Sequence, residues 1–259
     1  MCVLFIAWKS HPRYRLVLAG NRDEFRARPA APLARWSQHP DVAGGRDLKA
    51  GGSWLAATAT GRFAAVTNFR QVPLTAGRHS RGALVSDFVC GADTPAAFVR
   101  KLAINGADYG GTNLFAGDHD SLWHWSNRGE VTQLMAPGLY GLSNGMLEDD
   151  WPKMRRGRAA LLRLIAADTL DEEALFAVLT DRTPAADHEL PDTGVGRDME
   201  RALSSIFIAG DDGTSLNLPN AYGTRASTLL LIGHDGRVRM REKRWGAGGK
   251  SEGESSLTL

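Results

Sequence analysis

The sequence is short of cysteine and of long apolar runs. Its 259 residues include only Cys2 and Cys90, too few for a disulfide framework. The first residues lack a basic segment followed by a long apolar run, so no signal peptide is predicted. No stretch approaches the roughly 20 apolar residues of a membrane span, so no transmembrane segment is predicted. A reducing cytoplasm is the expected location, and it would keep a thiol usable.

An excess of charge of one sign is also missing. The 31 basic and 29 acidic residues leave a net charge of +2, and no basic run is interleaved with aromatic residues, so nucleic acid is not an expected partner. The seven histidines form no H-E-x-x-H pattern, and there is no paired cysteine spacing. No metal site is therefore predicted.

What the chain does contain is an alternation of strand runs and helix pairs. Runs of strands favour antiparallel sheets, with the helix pairs as outer layers. We therefore predict an α+β fold: a four-layer αββα sandwich with two mostly antiparallel sheets between helical layers. Residues 1–245 are predicted to form a single domain, and the Gly/Ser-rich residues 246–259 a flexible tail. Strands are predicted at 2–8, 14–19, 53–60, 63–68, 112–117, 121–126, 130–134, 138–143, 204–209, 226–233 and 237–244, and helices at 81–89, 95–104, 151–167 and 170–180.

Cys2 lies directly before an apolar strand, at the very start of the chain. If Met1 is removed, Cys2 carries both a thiol and a free α-amine, whose pKa is ordinarily about 8. A nucleophile and a base on one residue are the defining arrangement of N-terminal nucleophile (Ntn) hydrolases, in which the amine takes the side-chain proton. The alternative is that Cys2 is a small apolar residue at the start of a buried strand.

A second group of polar residues follows the strand predicted to pair with that of Cys2. Arg22 at this strand end would favour a thiolate, and the carboxylate of Asp23 or Glu24 could hold an α-ammonium group. The alternative is a solvated polar turn. Arg225 stands at the entrance to a strongly apolar strand, where a guanidinium needs an anion; its alternative role is a structural ion pair with Asp23 or Glu24.

Asn68 and Asn144 are candidate donors to an oxyanion, where one donor can contribute about 3 kcal/mol. Each could instead be a turn-forming asparagine. Residues 141–145 match the G-x-S-x-G pattern, but acidic residues 148–150 delay the following helix. Ser143 is therefore not favoured as a nucleophile.

Eight segments in a consistent order resemble the family named for transport and Golgi organisation protein 2, also called the NRDE-domain family. They are Met1-Cys2, Asn21-Arg22-Asp23-Glu24, Ala50-Gly51-Gly52-Ser53-Trp54-Leu55, Thr67-Asn68-Phe69-Arg70, Ser80-Arg81-Gly82, Gly141-Leu142-Ser143-Asn144, Trp151-Pro152-Lys153 and Tyr222-Gly223-Thr224-Arg225.

The resemblance implies a fold of the Ntn hydrolase type and a distant similarity to the penicillin V acylase and bile-salt hydrolase group. In that group an N-terminal Cys works with an Arg, an Asp, two Asn and a late Arg. Cys2 matches the nucleophile, Asn68 and Asn144 match the asparagines, and Arg225 matches the late arginine. The group reads Arg-x-x-Asp after the strand glycine, where this chain reads Gly20-Asn21-Arg22-Asp23-Glu24. Arg22 with Asp23 or Glu24 is therefore the implied pair.

Two functions are consistent with these residues. The first is a cysteine Ntn amidohydrolase or acylase that acts on a small amide and requires no cofactor. The second is a non-catalytic carrier of haem or an acyl lipid, since members of the family are implicated in haem movement and in lipid homeostasis. Arginines would then meet haem propionates, with Cys2, His79 and His124 as candidate axial ligands. The oligomeric state is left open.

Overall fold

The computed structural model describes residues 2–73, 77–129, 131–167, 170–210 and 222–259. Met1, on which the nucleophile hypothesis depends, and Glu130, at the start of a predicted strand, lie outside these residues. Thirteen strands and five α-helices are assigned within them, together with short 3-10 turns. The strands are β1 (Cys2–Trp8), β2 (Tyr14–Phe25), β3 (Ala30–Trp36), β4 (His39–Asp47), β5 (Leu55–Thr58), β6 (Phe63–Asn68), β7 (Thr112–Gly117), β8 (Leu122–Ser126), β9 (Val131–Leu134), β10 (Gly138–Leu142), β11 (Tyr222–Gly233), β12 (Val238–Trp245) and β13 (Ser251–Thr258); the helices are α1 (Arg81–Cys90), α2 (Pro95–Asn105), α3 (Pro152–Ile165), α4 (Glu172–Leu179) and α5 (Arg197–Ala202).

The first sheet has six strands in the order β10-β1-β2-β11-β12-β13, and every neighbouring pair is antiparallel. All seven residues of β1 are buried, which explains why this strand is apolar throughout and does not alternate. Its even-numbered residues join the core between the two sheets, and its odd-numbered residues Val3, Phe5 and Ala7 join a second core beneath α3 and α4. The start of the chain is therefore held inside the sheet.

The second sheet has seven strands in sequence order, β3 to β9, and all its pairs are antiparallel. Helices α1 and α2 pack on this sheet, while α3 and α4 pack on the first. Thr94 caps α2 and Pro95 is its first residue, a position that suits proline because its missing N–H has no partner in the first helical turn. The layer order is thus helices, sheet, sheet, helices, and the predicted four-layer αββα arrangement is confirmed.

The hairpin β3–β4 has no counterpart among the predicted strands. The prolines and paired glycines of residues 29–45 hide its signal, because proline removes a donor from a sheet and glycine weakens a strand. Pro32 is tolerated because β3 lies at the edge of its sheet, and the β3–β4 register shifts on either side of the stretch Ala34–Arg35.

The predicted strand at 204–209 is wrong, because this stretch is irregular. It meets β11 through Thr224, which bonds to Ile208 through both its N–H and its hydroxyl.

The expectation of a flexible tail at 246–259 also differs from the structure. After a short turn the chain forms β13, which pairs with β12. Leu257 and Leu259 pack against the core between the sheets, and Arg241 bonds to Glu254. Alternating leucines and cross-strand ion pairs therefore outweigh the Gly/Ser-rich composition.

None of the helices in the described segments has the length and apolarity that a membrane crossing requires.

Candidate active site

Four strand ends bring the predicted polar residues to one place. Cys2 opens β1 and stands directly opposite Arg22 near the end of β2. Strand β11 runs beside β2, and its register shifts at Arg225, so that Thr224 pairs with Asp23 and Ala226 with Arg22. Asn68 ends β6 in the other sheet. Residues distant in sequence thus converge because antiparallel neighbours place their opposite ends side by side.

A cleft of about 450 Å³ opens at this convergence. Five of the six predicted site residues line it, namely Cys2, Arg22, Asp23, Asn68 and Arg225. The sixth, Asn144, is not among the lining residues. The remaining walls include residues of β3, β4 and β12, the start of α1 and the stretch 77–80. The cleft therefore lies between the two sheets at the end where the chain begins.

The Cys2 thiol is buried at the inner end of β1, and only 7% of the residue is exposed. Burial raises the pKa of the thiol, and the nearby Asp23 carboxylate raises it further. Arg22 and a hydrogen bond from the Asp23 backbone N–H to the sulfur act in the opposite direction. Since the net shift is upward, the thiol is protonated at neutral pH and needs a base to become nucleophilic.

Arg22 is held by carboxylates and does not bond directly to the sulfur. Its Nη2 lies 3.4 Å from Asp47 Oδ2 and 3.8 Å from Glu24 Oε2. Arg28 contacts the same two carboxylates, with Nε 2.5 Å from Asp47 Oδ2. Asp47 and Arg28 were missed by the sequence reasoning. The charged pair Arg46-Asp47 was the available signal, but β4 was not among the predicted strands, so its end could not be recognised as the end at 20–24 was.

Asp23 and Glu24 occupy different environments. Glu24 contacts Arg22 and Arg28, whereas Asp23 is buried and accepts a hydrogen bond from Thr224 Oγ1 at 2.7 Å. Burial raises the pKa of the Asp23 carboxyl, and Thr224, Lys153 and Arg70 act to lower it. Of the two acids, Asp23 is therefore the one that is buried and electrostatically coupled to the Cys2 thiol.

A buried group of charged residues lies behind Asp23. Arg70 Nη1 bonds to Glu200 Oε2 at 2.5 Å, and its guanidinium lies over the ring of Trp151. Lys153 is 3% exposed and donates from Nζ to the Leu203 carbonyl at 2.9 Å. Burial, with Arg70 adding to it, lowers the pKa of Lys153 to about 7. The sequence reasoning assigned no role to these residues, although Arg70, Trp151 and Lys153 lie in the segments that carry the family resemblance.

The two asparagines have different surroundings. Asn144 is fully buried; its Nδ2 donates to the Asn68 carbonyl and its Oδ1 accepts from Ser143 Oγ. The Asn68 side-chain amide forms no hydrogen bond to any residue that the structure describes, and it lines the cleft. Asn68 thus has a donor available for a bound molecule, whereas the Asn144 amide is engaged in the packing of the site.

Arg225 does not form the predicted alternative ion pair with Asp23 or Glu24. Its Nη1 donates instead to the backbone carbonyls of Phe25, Arg26 and Arg28, at 3.0 to 3.2 Å. The guanidinium therefore fixes the turn that follows β2 while it lines the cleft. This turn carries Arg28, so Arg225 also helps to position the charges around Cys2.

The candidate haem ligands are not gathered in one place. Cys2 and His79 line the cleft, and His124 does not. His124 is buried beside Phe115, and burial lowers its pKa to about 4.

Within the described segments no group of three or more His, Cys, Asp or Glu residues could hold a metal ion. Only one of the seven tryptophans, Trp54, lines the cleft.

Several known proteins are similar to this chain in sequence. The chain is 35% identical to the Transport and Golgi organization protein 2 homolog of Bos taurus over 260 residues, covering 94% of this chain and 92% of the relative. The human homolog is 32% identical with the same coverage, and the Drosophila melanogaster protein is 26% identical over 273 residues.

Two solved structures are also similar. One is a Caenorhabditis elegans N-acylethanolamine-hydrolyzing acid amidase ortholog, with 13% identity, a TM-score of 0.42, and coverage of 74% of this chain and 95% of that one. The other is a mutant conjugated bile acid hydrolase from Clostridium perfringens, with 9% identity, a TM-score of 0.45, and coverage of 100% and 92%. The model of the Transport and Golgi organisation 2 family matches residues 1–247, and the chain belongs to this family.

Proposed function

We propose that this protein is a cysteine amidohydrolase of the N-terminal nucleophile type that cleaves a small amide. The observation that carries the proposal is the position of Cys2, which lines a cleft together with Arg22, Asp23 and Asn68. Because burial raises the pKa of the thiol, a base beside the sulfur is required. The α-amine of Cys2 supplies that base once Met1 has been removed.

The reaction proceeds in two steps. The α-amine accepts the thiol proton, and Cys2 Sγ attacks the amide carbonyl carbon to form a C–S bond. The Asn68 side-chain N–H donates to the resulting oxyanion. The C–N bond then breaks, and the α-ammonium returns the proton to the leaving amine. Water next attacks the thioester with the α-amine as base, which releases the acid and restores the thiol.

Asp23 and Arg22 have supporting roles in this cycle. The buried Asp23 carboxylate is coupled to the sulfur site and stabilises the α-ammonium form through charge. Burial raises the pKa of the Asp23 carboxyl, so the ionised form that this role requires depends on a cation nearby. Arg22 favours the thiolate, and its ion pairs with Glu24 and Asp47 hold it in the cleft wall.

Removal of Met1 and the reactivity of Cys2 provide the first test. Intact-mass measurement of the purified protein is expected to show loss of Met1, and iodoacetamide is expected to label Cys2 faster than Cys90. The Cys90→Ser variant serves as the control, because Cys90 is exposed and is not among the residues that line the cleft. Retained Met1, together with a Cys2 no more reactive than Cys90, would refute the nucleophile role.

Hydrolysis is tested with the butyryl amide of 7-amino-4-methylcoumarin. Wild type and Cys90→Ser are expected to release the fluorescent amine at equal rates, while Cys2→Ala releases none. Cys2→Ser is expected to be slower than wild type, since a hydroxyl is a weaker nucleophile than a thiol. Equal release by Cys2→Ala and wild type would exclude Cys2 as the nucleophile.

A carrier of haem or an acyl lipid is the second candidate. The guanidinium groups in the cleft favour it, because arginines bind carboxylates such as haem propionates. Titration of the wild-type protein with haemin tests the haem function: a haem carrier gives a saturable change in the Soret band. A protein that hydrolyses the butyryl amide and shows no saturable haemin binding is not a haem carrier.

A further inference from the structure

Seven arginines line the cleft that contains Cys2, and the charge of most of them is already matched. Four pair with carboxylates within the described part of the chain: Arg22 and Arg28 with Glu24 and Asp47, Arg78 with Asp108, and Arg244 with Glu242. The other three are Arg46, Arg81 and Arg225, and the described residues provide no carboxylate partner for them. Their other contacts decide which of the three can bind an anion.

Two of these three have substantial contacts of their own. The Arg46 guanidinium lies over the Trp36 ring, 4.4 Å from its centroid, and Arg225 Nη1 bonds to three backbone carbonyls. To the residues that the structure describes, Arg81 forms one long hydrogen bond, from Nη1 to the Gly111 carbonyl at 3.3 Å. A guanidinium has five N–H donors, so Arg81 keeps most of its donors available.

Arg81 also lines the cleft that contains Cys2, and its burial and electrostatic surroundings set it apart. It is the first residue of α1 and is partly buried. Burial lowers the pKa of its guanidinium, and Cys2 and Glu24 act to raise it. Arg46, by contrast, acts on the thiol of Cys90. Arg81 is thus the guanidinium that combines partial burial, unused donors and electrostatic coupling to Cys2.

We propose that Arg81 binds a carboxylate carried by the amide substrate, so that the cleft selects acidic amides over neutral ones. This inference rests on the proposed function and names the substrate class. A carboxylate can accept two parallel N–H donors from one guanidinium, and a partly buried guanidinium binds an anion more strongly than a solvated one does. The bond from Arg81 to Gly111 restrains the side chain beforehand, which reduces the entropy lost on binding.

The carboxylate can lie on either side of the scissile bond, and two pairs of probes distinguish these cases. The glutaryl amide of 7-amino-4-methylcoumarin carries it on the acyl side, and the butyryl amide of 7-amino-4-methylcoumarin-3-acetic acid carries it on the leaving amine. Each acid is compared with its methyl ester. We expect wild type to prefer one of the acids over its ester by about 10- to 100-fold in kcat/KM, chiefly through KM.

Three variants test the assignment to Arg81. Arg81→Met is expected to lower the acid-to-ester ratio to about one, and Arg81→Lys to restore part of it. Arg46→Met is the matched control, since Arg46 lines the same cleft without a carboxylate partner, and it is expected to keep the wild-type ratio. An unchanged ratio in Arg81→Met, or equal rates for acids and esters in wild type, would overturn the inference.

A binding measurement separates failure of this inference from failure of the proposed function. Fluorescence anisotropy of the same probes with Cys2→Ala needs no turnover, and the acid is expected to bind more tightly than its ester only while Arg81 is present. If wild type hydrolyses none of the probes but this binding preference holds, the anion site stands and the hydrolase does not. If acid and ester are hydrolysed and bound equally, the hydrolase stands and the anion site does not.

Discussion

Asn144 Nδ2 donates a hydrogen bond to the backbone carbonyl of Asn68 at 2.9 Å. Both residues are predicted oxyanion donors, and Asn144 thus holds in place the strand end that carries Asn68. Asn113 reinforces the same region by donating to the Gly145 carbonyl at 3.0 Å. The two asparagines are therefore expected to respond differently to substitution, even though both match the family pattern.

Replacement of the two asparagines separates a structural role from a catalytic one. Asn144→Ala leaves the partly buried Asn68 carbonyl without this donor and is expected to lower the free energy of unfolding by about 1–3 kcal/mol. Asn68→Ala removes an amide that bonds to none of the described residues, so it is expected to change stability little and to lower kcat for the butyryl amide by about 100-fold. Urea denaturation and steady-state rates measure the two effects, and a strongly destabilised Asn68→Ala would contradict this division.

Lys153 is expected to make stability depend on pH. Burial lowers its pKa to about 7 in the folded state, whereas the ordinary value for lysine is about 10.4. Between these values the unfolded chain binds more protons, so stability rises with pH by up to about 1.4 kcal/mol per unit. Below pH 7 both states are protonated and this contribution is constant.

Urea denaturation at pH 7 and pH 9 tests the Lys153 prediction. The Cys2→Ala background is used because the buried thiol makes the free energy of unfolding change with pH in the opposite direction. Lys153→Met is expected to lose most of the rise. Lys101→Met is the control, since Lys101 is exposed and pairs with Asp93. An identical rise in Lys153→Met and its parent would show that Lys153 does not titrate in this range.

Gly157 is expected to determine how closely α3 approaches the strand that carries Cys2. A Cβ atom at Gly157 would lie 1.9 Å from the ring of the buried Phe5. Although alanine favours a helix by about 1 kcal/mol over glycine, Gly157→Ala is expected to destabilise the protein by about 1–3 kcal/mol. Thermal denaturation checks this, and the double variant Gly157→Ala/Phe5→Leu is expected to recover part of the loss. A stabilised Gly157→Ala would mean that α3 is free to shift outward.

The strand β13 is expected to contribute to stability through its leucines. Leu257 packs against the core between the sheets, while its neighbour Thr258 is exposed. Leu257→Ala is expected to cost about 1 kcal/mol, half of the value for a fully buried leucine, and Thr258→Ala to cost little. Denaturation curves compare the two, and equal stabilities would place the C-terminal residues outside the cooperative fold.

The polar residues that matched the family were found without coordinates, but their individual roles were not. The predicted Arg–carboxylate pair illustrates this: Asp23 and Glu24 are adjacent in sequence, yet their side chains point to opposite faces of a strand. Only the sheet register shows that Arg22 contacts Glu24 while Asp23 meets Thr224. Likewise, only packing distinguishes the engaged amide of Asn144 from the available amide of Asn68.

The sequence by itself determined the layer architecture and the position of Cys2 at the head of a buried strand, because apolar periodicity and capping residues act over a few neighbouring residues. It also determined which residue types the site contains. The tertiary structure alone decided that Asp47, Arg81 and Lys153 are coupled to that site, and that the C-terminal residues form a strand. These outcomes depend on which strands become neighbours and on how deeply each charge is buried, and both are set by contacts between residues far apart in the chain.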